Sequence, residues 1–156
     1  LPDPASVSVF QQFGDKWAMM GDITWTHWST FNELRVKFAN GAADNVTPEN
    51  WSNTWRLSLG LTYQLTDAWK LRGGVAYDQT PVSDTYRTVR IPDNDRTWVA
   101  FGASWRFTTA ASLDFGYAHL FVKDASINKS EPASGTVIGT YDESVDIVSL
   151  GFTYRF

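Results

Sequence analysis

The sequence predicts an all-β fold, an antiparallel transmembrane β-barrel wall of about seven strands. Three observations predict it. Apolar and polar residues alternate with a period of two along most of the chain, as expected for strands with two different faces. Aromatic residues make up 15% of the 156 residues, eight of them Trp, and they cap the ends of the apolar faces. Short turns alternate with long polar loops, which is typical of outer-membrane barrels.

The composition excludes several other classes of protein. The chain contains no cysteine, so disulfides, Cys-ligated metal sites and a thiol nucleophile are ruled out. A formal net charge of −4 argues against nucleic acid as a partner. No run of residues approaches the ~18 apolar positions of a transmembrane helix. The start, Leu1-Pro2-Asp3-Pro4, is broken by proline, and we expect no signal peptide there.

Five segments carry the alternation clearly, and two earlier ones, about 5–13 and 16–28, fit it less cleanly. Residues 51–65 show it clearly, because the odd positions from Trp51 to Leu65 are mostly apolar and the even positions are small or polar. Short turns are expected at Gly14-Asp15, Thr66-Asp67 and 108–110, and long loops at about 39–50, 79–95 and 124–141. The predicted strands are 5–13, 16–38, 51–65, 68–78, 96–107, 111–123 and 142–156.

The segment 16–38 changes its apolar phase. Apolar side chains occupy odd positions such as Trp25 but even positions such as Leu34. One extra residue, a β-bulge near Ser29-Thr30, would produce this change within a single kinked strand. A tight hairpin there would produce it too, and would allow a closed eight-stranded barrel. We favour the kinked strand, whose lost ladder hydrogen bonds would let the wall open at the bulge.

The polar face favours a barrel lumen over a surface in water. It is rich in Gly, Ala, Ser and Thr, whereas a water-facing surface usually carries more Lys and Glu. A soluble lipid-binding barrel or sandwich, with the apolar face inside, is the alternative. Seven strands cannot close into an even-numbered antiparallel barrel. We therefore expect residues 1–156 to be one C-terminal barrel portion whose N-terminal half is missing.

Charged side chains on the polar face are the candidate functional residues. They could form a network that ties the wall together, or guide an anionic head group, because a buried carboxylate needs a cation or donor. Arg56 and Arg72, on successive predicted strands, are the first candidates for that guidance. Trp98 could extend an apolar lining. The substrate-path candidates are Arg56, Arg72, Trp98 and Arg106, and the network candidates are Asp22, Lys70, Asp78, Asp114 and Arg155.

The sequence gives little support for an enzymatic activity, a metal site or a cofactor site. His27 and His119 both fall on the apolar phase near strand ends, where we expect them beside an aromatic girdle. Asp93-Asn94-Asp95 lacks the spacing of a calcium loop and predicts a turn stabilised by Asx side chains. Arg96 should pair with one of its carboxylates. No catalytic or phosphate-binding motif is present, so we expect no enzyme, no metal and no cofactor.

Several motifs together resemble one family, the long-chain fatty acid transporters of the FadL/TodX type. The end of the chain, from Gly151 to Phe156, also resembles the terminal strand by which outer-membrane barrels are recognised for assembly, with Phe156 contacting the assembly machinery. The resemblance covers nearly the whole chain. The motifs are Leu1-Pro2-Asp3, Trp25-Thr26-His27-Trp28-Ser29-Thr30-Phe31, Trp69-Lys70-Leu71-Arg72-Gly73-Gly74-Val75-Ala76-Tyr77-Asp78 and Arg90-Ile91-Pro92-Asp93-Asn94-Asp95-Arg96-Thr97-Trp98.

The resemblance implies a fourteen-stranded barrel with an N-terminal hatch, of which this chain would supply the last seven strands. It implies passive transport of long-chain fatty acids or similar hydrophobic compounds through the bacterial outer membrane, in contact with its lipids and lipopolysaccharide. The family's tight ligand pocket involves the hatch and is not carried over. A small autonomous outer-membrane barrel with a structural or adhesion role, and a soluble lipid-binding barrel, are the alternatives.

Overall fold

The computed structural model describes residues 2–131 and 135–156; Leu1, part of one quoted motif, and residues 132–134, part of the third predicted loop, lie outside this range. No helix in the described part is long and apolar enough to span a membrane. The strands are β1 (Pro4–Phe13), β2 (Trp17–Thr26), β3 (Glu33–Val36), β4 (Asn45–Pro48), β5 (Thr54–Gln64), β6 (Trp69–Asp78), β7 (Arg96–Arg106), β8 (Ala111–Val122), β9 (Ala125–Glu131), β10 (Gly135–Tyr141) and β11 (Ser144–Tyr154).

Seven of these strands form the main sheet, as predicted. Its order is β1-β2-β5-β6-β7-β8-β11, and every neighbouring pair is antiparallel. Sequential strands therefore pair through the three short turns or across the three long excursions. Among the described residues β1 and β11 do not pair with each other, so the sheet is an open wall.

The predicted strand 16–38 is wrong, and so is the bulge within it. The strand ends at Thr26, a 3₁₀ turn follows at Trp28–Thr30, and the chain then leaves the main sheet. Residues Glu33–Val36 pair instead with Asn45–Pro48 in a separate two-stranded sheet. The apolar phase changes because β3 belongs to a different sheet, so neither a kinked strand nor an eighth barrel strand is needed, and no opening of the wall follows from a bulge.

The long excursions lie at one end of the sheet and carry structure of their own. The third contains the hairpin β9–β10, which pairs Ala125 with Tyr141. The second contains a bridge between Thr88 and Ile91. Most fully buried residues of the described chain belong to these excursions rather than to the sheet, including Glu49, Val82, Arg87, Ala125 and Ile127. The packed core therefore forms a cap at the long-loop end of the sheet, the end that is extracellular in outer-membrane barrels, and we call it the extracellular cap.

The apolar face of the sheet is exposed. Leu57, Leu59, Phe101 and Leu150 are 47%, 52%, 54% and 72% exposed, so they do not form the dry interior that a soluble barrel requires. Such an extensive apolar surface is characteristic of contact with lipid. Aromatic pairs border it towards the short turns, where the rings of Trp69 and Trp105 stack at 5.5 Å.

The two histidines lie on this apolar face near its loop end, each beside an aromatic ring, as expected. The ring centroids of Trp25 and His27 are 5.2 Å apart, and those of His119 and Phe121 are 4.3 Å apart. His119 Nδ1 also lies 2.8 Å from Asp146 Oδ1, to which the Tyr117 hydroxyl donates at 2.6 Å. These bonds explain how a carboxylate is tolerated on a lipid-facing surface.

Candidate functional site

Strand register places the predicted charged residues on one face. Even-numbered residues from β2 to β8 are mutual partners, as in Asp22 with Ser58 and Ser104 with Asp114. On β11 the odd-numbered positions join them, because Asp114 pairs with Gly151. This face, the inner face, is opposite to the one that carries the exposed apolar side chains.

Small residues form a band across the middle of the inner face. Its members are Gly60, Gly74, Ala76, Ala100, Gly102, Gly116 and Ala118. A Cβ atom at Gly102 would lie 3.0 Å from the carbonyl oxygen of Phe115, and one at Gly74 would lie 3.1 Å from that of Leu59. Such short approaches leave no room for larger side chains. The band therefore separates the charged residues into two clusters, one towards the short turns and one towards the long loops.

The turn-side cluster consists of Lys70, Arg72, Arg106, Asp114 and Arg155. These five side chains line one concavity of about 440 Å³ together with Asp67. Four cations thus face two carboxylates, which leaves a formal excess of two positive charges. A concave surface with that excess attracts anions.

Only some side chains of the turn-side cluster have hydrogen-bond partners. Arg72 Nη1 donates to Ser104 Oγ at 2.7 Å and lies 3.6 Å from Asp114 Oδ1, and the Ser104 hydroxyl donates to the same carboxylate. Arg106 donates to the backbone carbonyl of Asp67. Within residues 2–130 and 135–156, Lys70, Arg106 and Arg155 take part in no ion pair. The unpaired positive charge of the cluster is therefore carried by these three side chains.

The loop-side cluster consists of Asp22, Arg56, Asp78, Arg96 and Trp98. Asp22 accepts hydrogen bonds from Ser8 at 2.7 Å and from Thr24 at 2.8 Å. The guanidinium carbon of Arg56 lies 5.4 Å from the centre of the Trp98 ring, within the range of a cation–π contact. The Trp98 Nε1 and Arg96 Nε atoms are buried without a hydrogen-bond partner in the described chain. The exposed cation of this cluster is therefore Arg56.

The predicted role of Arg96 is confirmed. Its Nη1 lies 3.3 Å from Asp93 Oδ1, and its Nη2 lies 3.1 Å from Asp78 Oδ2. Asx side chains stabilise the turn as predicted, because Asn94 Oδ1 accepts the Asp95 backbone N–H at 2.9 Å. No group of three or more potential metal ligands occurs in the described ranges.

Arg56 and Arg72 are not close together, although they lie on successive strands. Arg56 is opposite Asp78, whereas Arg72 is opposite Thr62. Six residues of strand separate the two positions, roughly 20 Å at the usual rise per residue. Sequence reasoning placed both on the correct face, but only strand register shows that they belong to different ends of the wall.

Three residues of the extracellular cap were not predicted from the sequence. They are Arg87, which is almost completely buried, and Arg90 and Lys129, which line a pocket among the excursions. Their segments show no alternation, and the contacts that give them a role come from residues distant in sequence. The sequence shows only that these are charged residues within long loops. That position does not distinguish a buried arginine from a solvated one.

Comparison with known proteins agrees with this architecture. The model of the family described as "Outer membrane protein transport protein (OMPP1/FadL/TodX)" matches residues 1–156. The chain belongs to this family. Members are outer-membrane proteins of Gram-negative bacteria, and the chain is accordingly an outer-membrane protein; the family and several of the relatives are named for transport, not for an enzymatic reaction.

Individual FadL-family relatives resemble the chain along most of its length. Outer membrane protein P1 of Haemophilus influenzae (strain Rd) is 41% identical over 164 residues, covering 100% of this chain and 36% of the relative. The long-chain fatty acid transport protein of Salmonella typhi is 33% identical over 83% of this chain and 30% of its own length. A crystal structure of a Pseudomonas aeruginosa FadL homologue matches with a TM-score of 0.90 and 35% identity, covering 98% of this chain and 35% of that one. The chain thus spans about a third of these relatives.

Proposed function

We propose that this chain forms part of the wall of an outer-membrane channel through which long-chain fatty acids or similar hydrophobic compounds diffuse passively. The observation that carries the proposal is the positive excess of the turn-side cluster, on the inner face of a wall whose other face is apolar. An amphiphile moving along the inner face would keep its carboxylate near donors, first at Arg56 and Trp98 and then at Lys70 and Arg155. Passage would need no energy source, because binding and release are both equilibria.

The anionic head group is what makes these cations relevant. A carboxylate that leaves water without a partner loses its solvation, and a charge-assisted hydrogen bond to a cation offsets that loss. The alkyl chain gains roughly 0.8 kcal/mol for each CH₂ group buried in an apolar environment. Cations at both ends of the small-residue band would therefore lower the barrier for a fatty acid more than for a neutral compound.

The partners follow from the open sheet. The unpaired edges of β1 and β11 would be completed by further strands, supplied by the N-terminal half of a larger barrel. Outer-membrane lipids and lipopolysaccharide would contact the apolar face. The fully exposed Phe156 would contact the assembly machinery. In this proposal residues 1–156 act as one domain, the C-terminal portion of the barrel.

Uptake of a fatty acid and of its neutral ester tests the proposal. The complete protein containing this chain would be expressed in cells that lack their own fatty acid uptake, and initial uptake of labelled oleate and methyl oleate compared. Lys70→Gln combined with Arg155→Gln should reduce oleate uptake about tenfold, the size expected for losing one charge-assisted hydrogen bond, and should spare methyl oleate. The matched control is Lys37→Gln, which removes an exposed cation outside the main sheet and outside both clusters. Equal effects on both compounds, or no effect on oleate, would contradict the proposal.

A further inference from the structure

The turn end of the inner face carries a concavity of about 440 Å³ that is lined by unpaired cations. They are Lys70, Arg106 and Arg155, none of which forms an ion pair with residues 2–130 or 135–156. The Ser112 hydroxyl lines the same concavity and adds a neutral donor. Because these four donor groups share one concave surface, an anion there can accept hydrogen bonds from several directions at once.

The carboxylates of the concavity offset only part of this charge. Asp114 Oδ1 lies 3.6 Å from Arg72 Nη1 and accepts a hydrogen bond from the Ser104 hydroxyl, so Asp114 and Arg72 neutralise each other. Among the described lining residues Asp67 is the other carboxylate, and it is set against three unpaired cations. The formal excess is therefore two positive charges, which match a dianion better than a single carboxylate.

Strand register fixes where the donors lie. Arg106 on β7 is directly opposite Ser112 on β8. Lys70 lies on β6, on the far side of β7, and Arg155 directly follows β11, on the far side of β8. Neighbouring strands are about 4.8 Å apart. Arg106 and Ser112 therefore form the centre of the site, and one long, flexible cation flanks it on each side.

Hydrogen bonds to the neighbouring turn hold Arg106 in place before any ligand arrives. Its backbone N–H donates to the Ala68 carbonyl at 2.8 Å, and its Nη2 donates to the Asp67 carbonyl. The turn is closed by Thr66 Oγ1, which accepts the N–H groups of Ala68 at 3.2 Å and Trp69 at 3.1 Å. A guanidinium carries five N–H donors in a rigid fork, so most of them remain for a ligand. A group positioned in this way loses little conformational entropy on binding.

We propose that this concavity binds a soluble phosphate group, carried by inorganic phosphate or by a phosphate monoester. Such a group has a charge of about −1.5 to −2 at pH 7 and offers three strong acceptor oxygens. The Arg106 fork and the Ser112 hydroxyl contact these oxygens, and Lys70 and Arg155 supply the remaining charge. The short turns of outer-membrane barrels are periplasmic, and the inner face is turned away from lipid. The phosphate therefore comes from the periplasm and not from a lipid head group.

Phosphate at this place regulates release of the transported compound, a consequence that rests on the proposed function. In that function the carboxylate of a fatty acid reaches Lys70 and Arg155, the cations that also attract the phosphate. Because like charges repel, the two anions compete for the concavity, and periplasmic phosphate favours release of the carboxylate. Binding of phosphate itself is measurable without any fatty acid.

Equilibrium dialysis with radiolabelled inorganic phosphate tests the site. The complete protein would be reconstituted in phosphatidylcholine nanodiscs at constant ionic strength and compared with empty nanodiscs. We expect saturable binding of one phosphate per protein. Sulfate, which is also a tetrahedral dianion, should displace the phosphate, and chloride should not. Binding that does not saturate, or equal displacement by chloride and sulfate, would overturn the proposal, because it would indicate charge screening without a site.

Two further lipid compositions distinguish a soluble phosphate from a lipid head group. Phosphatidic acid presents a phosphate monoester at the membrane surface, whereas phosphatidylglycerol is anionic but has no monoester. The half-saturating concentration of inorganic phosphate should be equal in nanodiscs that contain the same fraction of either lipid, because the concavity lies on the inner face. A several-fold higher concentration with phosphatidic acid would assign the site to a lipid head group and overturn a soluble ligand.

Removal and exchange of the flanking cations test the contact itself. Lys70→Gln combined with Arg155→Gln should raise the half-saturating phosphate concentration about tenfold, as expected for losing one charge-assisted hydrogen bond. Lys70→Arg combined with Arg155→Lys keeps both charges and should leave it nearly unchanged, which separates lost charge from lost folding. The matched control is Lys37→Gln with Lys123→Gln, two exposed cations that do not line the concavity. Equal weakening by the control pair, or none by the first pair, would contradict the proposal.

The outcomes separate this site from the proposed function. If cells take up oleate through the complete protein but the protein binds no phosphate in nanodiscs, the phosphate site fails and transport stands. If phosphate binds saturably and Lys70→Gln with Arg155→Gln weakens it, while oleate uptake by that variant is unchanged, the proposed function fails and the phosphate site stands.

Discussion

Arg87 donates a hydrogen bond from Nη1 to the backbone carbonyl oxygen of Ser126 at 2.7 Å, across 39 positions of sequence. The side chain of Arg87 is 1% exposed, so this bond and those to the Asp93 carbonyl satisfy a guanidinium that water does not reach. The bond joins loop 79–95 to the β9–β10 hairpin. One arginine therefore connects two of the three excursions above the membrane wall.

Replacing Arg87 should loosen the cap and leave the sheet intact. Arg87→Lys keeps the charge but not the planar group that reaches two carbonyls at once, and each unsatisfied buried group costs about 1–3 kcal/mol. We expect cleavage of loop 79–95 by an added protease to become at least tenfold faster. Arg90→Lys is the matched control, because Arg90 is exposed. Unchanged cleavage in Arg87→Lys would show that the bond to Ser126 does not hold the cap.

The small-residue band should tolerate no added methyl group at its tightest point. A Cβ atom at Gly102 would lie 3.0 Å from a backbone oxygen, whereas one at Gly139 would meet nothing within 4 Å. Gly102→Ala should lower the free energy of unfolding by about 1–3 kcal/mol, as expected for overpacking. Gly139→Ala should change it by less than about 1 kcal/mol in either direction. Urea unfolding in lipid vesicles measures both, and equal effects would argue against close packing on the inner face.

The stability of the protein should depend on the hydrogen bonds between the Asp146 carboxylate and its partners His119 and Tyr117. His119→Leu removes one of the hydrogen bonds to Asp146 and should lower the free energy of unfolding by about 1–3 kcal/mol. Adding Asp146→Leu removes the carboxylate as well and should restore most of the loss, because replacing both partners by apolar groups is nearly neutral. The same vesicle unfolding assay applies. If the double variant were as unstable as His119→Leu alone, Asp146 would not be the residue that needs His119.

The main sheet could be predicted because its signal is local. A strand with one face in lipid and one in a lumen must alternate, so the residues of 54–64 reveal their own conformation and their own two faces. The number of strands in the main sheet and the shared face of Asp22, Lys70 and Asp114 followed from that alternation, whereas the end of the second strand at Thr26 did not. Strand register does not follow from it, which is why the separation of Arg56 from Arg72 appeared only in the structure.

The extracellular cap could not be predicted because the contacts that form it join residues distant in sequence. The phase change between Trp25 and Leu34 is the same whether a strand bulges or the chain leaves the sheet, since alternation records the two faces of a strand and not the identity of its partner. Arg87 is buried by Ser126 and Asp93, and no local pattern brings these residues together. The excursions are joined by long-range contacts of this kind, Arg87 with Ser126 and Ser52 with Pro81.

The proposed function depends on which face of the sheet contacts lipid and which contacts water. Single cysteines at adjacent residues measure this orientation directly. Leu59→Cys should be protected from a charged, water-soluble thiol reagent when the complete protein is in lipid vesicles, and its spin label should be relaxed by oxygen dissolved in the lipid. Ser58→Cys, on the inner face, should react with the charged reagent. The pairs Phe101→Cys with Ala100→Cys, and Leu150→Cys with Ser149→Cys, should behave alike. Reaction at Leu59, Phe101 and Leu150 with protection of their neighbours would contradict the account, because the apolar face would then meet water.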